Sequence, residues 1–211
     1  MLTDLTEWVA DVVDALGYPG VFFLVALENV FPPIPSEVVL PMAGFVAGRG
    51  DANVIGMVIA ATLGSLVGAW TLYGVAAAIG PERLRRLVRR FGGWLRLTEE
   101  DVDRAEQWFD RRADLAVLIC RCVPLIRSLV SIPAGFRRMA LARFTLFTVL
   151  GSLVWNSVLI GAGYALGDRW EEVSDWVEYF QWVVVAAIVG AVGWYAWRRL
   201  LAPAARRSEP G

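Results

Sequence analysis

The lengths of the apolar runs constrain this chain more than any other feature. A helix rises 1.5 Å per residue, so about 20 mostly apolar residues are needed to cross the hydrocarbon of a bilayer. Asn53 to Gly80, Phe144 to Gly167 and Tyr179 to Trp197 meet that length. Two other apolar regions do not. Gly20 to Phe31 and Val38 to Gly48 flank ENVFPPIPSE, which holds Pro32, Pro33 and Pro35 between Glu28 and Glu37. Each limb reaches roughly 18 Å, about halfway through a bilayer. Leu115 to Ile126 and Leu129 to Phe136 repeat this arrangement around Pro124 and Arg127, with Pro133 in the second limb. Proline removes a backbone donor and ends or kinks a helix. The five prolines are therefore read as hairpin breakers, and both regions as re-entrant helical hairpins that enter and leave on one face. Composition agrees with an all-α integral membrane protein: 57% of residues are hydrophobic and 19% charged, and mean hydropathy is +0.52.

Charge sets the expected orientation. Every cation is Arg, and if Asn53 to Gly80 is the first true crossing, segments 81 to 113, 137 to 143 and 198 to 211 share a face and carry sixteen of the twenty Arg. By the positive-inside rule that face and the C-terminus are cytoplasmic, and the N-terminal helix is extracytoplasmic. The expected localisation is a bacterial-type inner membrane.

The N-terminus has acidic leading charges and helical spacing, unlike a signal peptide. Leu5, Trp8, Val9, Val12, Val13 and Leu16 line one face and Asp4, Glu7, Asp11 and Asp14 the other, so residues 1 to 17 are expected to lie on the membrane surface. Residues 81 to 113 read as a pair of cytoplasmic interfacial helices, with a break at Gly92-Gly93 and a new N-cap at Thr98. Arg49, Asp51, Arg137, Arg138 and Arg143 read as interfacial anchors.

LGSLVGAWTLYGVAAAIG at 63 to 80 aligns without gaps to LGSLVWNSVLIGAGYALG at 150 to 167, with Gly64/Gly151, Gly74/Gly161 and Gly80/Gly167 in register. Upstream, Ala43-Gly44-Phe45 corresponds to Ala134-Gly135-Phe136. Each unit, 18 to 80 and 114 to 167, is then a hairpin followed by one crossing, with a C-terminal transmembrane helix at 178 to 201 and a tail at 202 to 211. One net crossing reverses the unit that follows, so the repeat is inverted and the two hairpins point at each other near the midplane. Small residues such as Gly64 and Gly68 should bring the crossing helices close to the hairpins.

Arg121 and Arg127 flank Pro124 as Glu28 and Glu37 flank the first proline cluster. A charge at bilayer depth costs about 3 kcal/mol on insertion scales, so four need pairing or a wet cavity. Three arrangements satisfy this: two Glu to Arg ion pairs that lock the tips; Glu37 and Arg127 in headgroup water; or a polar cavity in which Arg121 and Arg127 grip a phosphate bidentately. In the last, Glu28 exchanges a proton as it gains and loses an Arg partner, and Glu37 shares that task or orients Arg127. Asn29, Ser36 and Ser128 can add neutral hydrogen bonds. The chain has no His, and Cys120 and Cys122, its two thiols, are too few for a zinc site and read as small apolar residues. No Ser sits in a nucleophile elbow, so neither a metal, a cofactor nor a catalytic residue is expected.

ENVFPPIPSEVVLPMAG and RCVPLIRSLVSIPAG, followed by GSLVWNSVLIGAGYALG, resemble the DedA family, the SNARE-associated or VTT-domain membrane proteins. The likeness covers roughly residues 18 to 170. It implies an inverted-repeat fold with two re-entrant hairpins and a non-enzymatic role in moving lipid between leaflets. The substrates it implies are a polyprenyl phosphate such as undecaprenyl phosphate, or phosphatidylethanolamine, with dependence on protons. It also implies that Glu28 and Glu37 are the acidic positions and Arg121 and Arg127 the basic ones. Ser36 and Cys122 depart from the family pattern, which often has Gly and an aromatic residue there. The competing readings are a phospholipid scramblase without energy coupling, a proton-coupled carrier of small solutes or ions, and a membrane enzyme such as a lipid phosphatase; nucleic acid is not an expected partner, and a homo-oligomer is compatible with the sequence.

Overall fold

The computed structural model describes residues 2–31, 36–50, 52–80, 112–124 and 126–167, and single positions 179, 183, 186, 190 and 194. Pro32, Pro33 and Pro35, the interfacial helices expected before Arg112, and most of the C-terminal span lie outside the described residues. The chain divides into two units, Met1–Ser174 and Asp175–Gly211. In the second, the described positions are helical and exposed.

Every element described in the first unit is helical: α1 (Leu2–Leu16), α2 (Tyr18–Val30), α3 (Ser36–Gly48), α4 (Val54–Ile79), α5 (112–120), α6 (Ile126–Leu129), α7 (Ser131–Phe136) and α8 (Leu141–Leu166). α4 and α8 have the length and apolar character to cross a membrane, while α2 and α3 are short and apolar.

Local chemistry explains the boundaries. Gly17 has φ 56°, a conformation that glycine adopts without a Cβ penalty, and it separates α1 from α2. Asn53 caps α4, its side chain accepting from the Ile55 and Gly56 amides at 2.8 and 3.4 Å. The Asn53 amide donates to Tyr18 Oη at 2.7 Å, which ties the start of α2 to the start of α4. In α1, Val9 and Val13 are buried whereas Trp8 and Leu16 are exposed, so the apolar face divides between protein and surroundings.

The short apolar segments depart from the expected limbs around Pro124: the run from Leu129 to Phe136 is split between α6 and α7, and the run before it is cut short. α5 ends at Cys120 rather than continuing to Ile126. Pro124 disfavours helical geometry in the residue before it, and the chain winds tighter as it approaches. Arg121 N still bonds the Val117 carbonyl, but Cys122 N and Val123 N reach only to Ile119 and Cys120, at 2.9 and 3.1 Å. Arg121 thereby leaves the helix at the break. Pro133 lies in the first turn of α7, where its missing N–H is tolerated, and α7 runs through it. Pro41 sits inside α3 and has no N–H to give the Glu37 carbonyl.

Glycine sets the packing. A Cβ on Gly64 would meet the Phe22 carbonyl, and Gly68 lies against Ala26 and Asn29, so α2 seats on α4. Gly44 of α3 lies against the Ile160 carbonyl of α8, and Gly135 of α7 against the Tyr73 carbonyl of α4. Tyr73 and Ile160 are equivalent positions in the sequence repeat, as are the two Ala-Gly-Phe glycines. α4 and α8 run antiparallel: Trp70 Nε1 donates to Thr145 Oγ1 at 3.0 Å, and the Tyr73 and Phe144 rings stack at 4.9 Å.

Candidate functional site

The ends of α2 and α5 bring the charged residues together. Glu28 and Asn29 lie in the last turn of α2, Arg127 and Ser128 in α6, and Arg121 at the break after α5. Glu28 is 2% exposed, Glu37 6%, Arg121 2% and Arg127 7%. Arg127 Nη2 forms an ion pair with Glu28 Oε1, so one expected acid and one expected base meet. Glu37 and Arg127 are both buried within the protein.

Arg121 is held differently. Its Nη1 donates to Asn29 Oδ1 at 3.3 Å and its Nη2 to Ser131 Oγ at 2.8 Å. Its guanidinium carbon lies 5.9 Å from the centre of the Phe144 ring, within cation–π range. All these partners are neutral, and among the described residues Arg121 Nε has no hydrogen-bond partner. Asn29 organises the cluster: its Nδ2 is fixed on the Val25 carbonyl at 2.9 Å, and its Oδ1 also accepts from Ser128 Oγ at 3.3 Å. Ser128 was foreseeable as a polar neighbour; Ser131 and the Phe144 face were not, since nothing in SLVSIPAG marks which Ser reaches the guanidinium.

A pair of buried guanidinium groups, one neutralised by a carboxylate and one not, can hold a tetrahedral anion through fork-like donors. Among the described residues Glu28 Oε2 has no hydrogen-bond partner either, leaving the acid an open lone-pair face. Among the described residues no group of three or more His, Cys, Asp or Glu converges as a metal site. Cys122 Sγ faces the Leu118 and Gly151 carbonyls at 3.7 and 3.8 Å, and both thiols are free.

Comparison with known proteins gives the family. The VTT domain model matches residues 34–165. The chain belongs to the VTT-domain (DedA) family. Glu37, Arg121 and Arg127 fall inside the VTT match, and Glu28 and Asn29 just before it. Among relatives, an alkaline phosphatase-like protein of Lactococcus lactis subsp. cremoris is 47% identical over 89% of this chain and 88% of its own length. The undecaprenyl phosphate transporter A of Staphylococcus aureus is 34% identical over 92% of this chain and 96% of its own. Its namesake in Bacillus subtilis is 27% identical over 83% and 82%. No solved structure matches. With these relatives and the two long apolar helices, the chain is a VTT-domain membrane protein.

Proposed function

We propose that this protein moves a polyprenyl phosphate, with undecaprenyl phosphate the prime candidate, between the leaflets of a bacterial inner membrane. The observation that carries the reading is Arg121: a buried cation whose partners are Asn29, Ser131 and an aromatic face, with Nε still open. A charge left without a carboxylate at that depth is costly unless an anion completes it. Relatives named for undecaprenyl phosphate transport support a lipid phosphate as that anion.

In this reading the hairpins are re-entrant, the repeat is inverted, and the Arg-rich segments face the cytoplasm. The phosphate docks on Arg121 and draws Arg127 from Glu28. Glu28 then takes a proton, so charge inside the site stays balanced while the hairpins exchange access from one face to the other. The isoprenoid tail stays in lipid. Reconstituted protein is expected to translocate labelled undecaprenyl phosphate faster under an imposed pH gradient, and to release no inorganic phosphate. Equal rates in protein-free vesicles would end the proposal. A rate indifferent to the gradient would remove the proton from it.

The Lactococcus relative is named alkaline phosphatase-like, and a second reading makes this protein a phosphatase whose substrate would be a lipid phosphate. Release of inorganic phosphate by pure protein, lost in Arg121→Ala, would establish it. Movement of phosphatidylethanolamine or of small solutes instead of the prenyl lipid would redirect the substrate while keeping the site.

A further inference from the structure

The antiparallel contact between α4 and α8 buries a line of polar side chains that the charged site does not use. Asn156 Nδ2 donates to Thr62 Oγ1 at 3.2 Å. The same register continues through Ser65 and Ser152 to Thr148, all buried. Ser65 and Ser152 are equivalent positions of the sequence repeat, so the stripe straddles the place where the two repeats meet. From Asn156 to Thr148 the line spans about 12 Å along α8. It ends at the site: Gly151 has the Arg121 Cβ within 2.6 Å of its own Cβ position, and Gly68 lies against Asn29.

Among the described residues, Ser65 Oγ, Thr148 Oγ1 and Asn156 Oδ1 are buried without a hydrogen-bond partner, and so is Arg121 Nε where the line meets the site. Unsatisfied polar atoms at this density are exceptional in a packed interior, and water is their usual complement. The mixture of atoms separates water from a metal cation. An ion such as Na⁺ would serve the oxygen acceptors, but it cannot accept from Arg121 Nε and would sit beside a guanidinium. Water donates to Asn156 Oδ1, exchanges bonds with the hydroxyls and accepts from Nε.

We propose that the α4–α8 seam holds a file of water that carries protons to Glu28. This rests on the proton-coupled reading above. Arg127 from α6 is the group paired with Glu28, Arg121 shares Asn29 with the same cluster, and Glu37 of α3 is a further buried charge. α4 and α8 bring no charged residue to the seam, and Tyr73 is engaged with the Met139 carbonyl at 2.6 Å. Each water accepts a proton on one side and passes one on at the other, and the last delivers it to the Glu28 carboxylate as Arg127 moves to the anion. In the orientation proposed above, the Asn156–Thr62 end lies toward the extracytoplasmic face, where α4 begins.

The test uses the full chain in proteoliposomes with a trapped pH indicator and labelled undecaprenyl phosphate. Thr148→Val and Ser65→Ala remove hydroxyls with little change of volume. Together they are expected to cut gradient-driven proton entry and lipid translocation at least tenfold. Binding of undecaprenyl phosphate by the purified double variant should stay within twofold of wild type, which also shows that it folds. Thr148→Ser should restore the rate, and Thr71→Val, exposed and outside the seam, should leave it unchanged. If wild type responds to the gradient and the double variant responds equally, the seam proposal is wrong while the transport reading stands. A wild type indifferent to the gradient overturns both the coupling and the seam. Replacing Na⁺ by choline at a fixed pH gradient should not alter the rate; a loss there assigns the seam to a cation and overturns the water file.

Discussion

Arg127 pairs with Glu28, and both side chains are buried, while Arg121 in the same cluster is held by Asn29 and Ser131. The two arginines therefore do different work. Arg127 is neutralised by a carboxylate, whereas the described partners of Arg121 are neutral.

Breaking the pair from one side leaves an uncompensated buried charge, which costs about 3–5 kcal/mol. Glu28→Gln is expected to lower stability by about that amount, whereas Glu28→Gln combined with Arg127→Gln should cost much less than the sum of the singles. Unfolding of purified protein in detergent measures the cycle. Additive losses would show that the pair is not a unit.

Arg121→Lys keeps the charge but loses the planar fork and the contacts to Asn29 and Ser131. Binding of undecaprenyl phosphate is expected to weaken by about tenfold, or about 1.4 kcal/mol, and Asn29→Ala, which frees the guanidinium to wander, should weaken it in the same direction. Titration of labelled lipid into the purified variants reads both. Unchanged affinity in the Lys variant would mean that a point charge suffices.

The repeat's glycines fall into two packing classes, Gly44 and Gly135 against a carbonyl and Gly74 and Gly161 in open space, and the classes should respond differently to a methyl group. A Cβ at Gly135 would run into the Tyr73 carbonyl and come within 2.8 Å of the Ala76 side chain, so Gly135→Ala is expected to destabilise by about 1–3 kcal/mol. Gly74 and Gly161 have nothing within 4 Å of that position. Gly161→Ala should be neutral or stabilising by up to about 1 kcal/mol through helix propensity. Melting temperatures of the two variants check this.

Arg143 pairs with Asp114, but its side chain is 64% exposed. Arg143→Ala is expected to change stability by less than about 1 kcal/mol. A larger loss in the same detergent melt would show that this pair fastens α5 to α8.

Much of this was legible in the sequence because bilayer thickness turns run length into architecture. The runs at 53–80 and 144–167 are the helices α4 and α8, the latter starting earlier at Leu141 because Ala140 ends the preceding turn. The four charges announced a site because charge is expensive among apolar residues. Which acid meets which base was not legible: Glu28 and Glu37 flank the prolines alike, and only the fold sets Glu28 against Arg127. The early end of α5 depends on how the chain winds before Pro124, which spacing alone leaves open. Asn156, in the middle of LGSLVWNSVL, was a readable signal of a polar seam. Its partner Thr62 was not, because small hydroxyls are common in membrane helices for packing alone.

The central claim is that Arg121 receives a lipid phosphate. Its most direct test is the rate of undecaprenyl phosphate translocation in proteoliposomes by Arg121→Ala, set beside wild type and Arg49→Ala, a surface arginine paired at 3.8 Å with Asp14. The account predicts a loss of at least tenfold for Arg121→Ala and none for Arg49→Ala. Translocation by Arg121→Ala at the wild-type rate would contradict it.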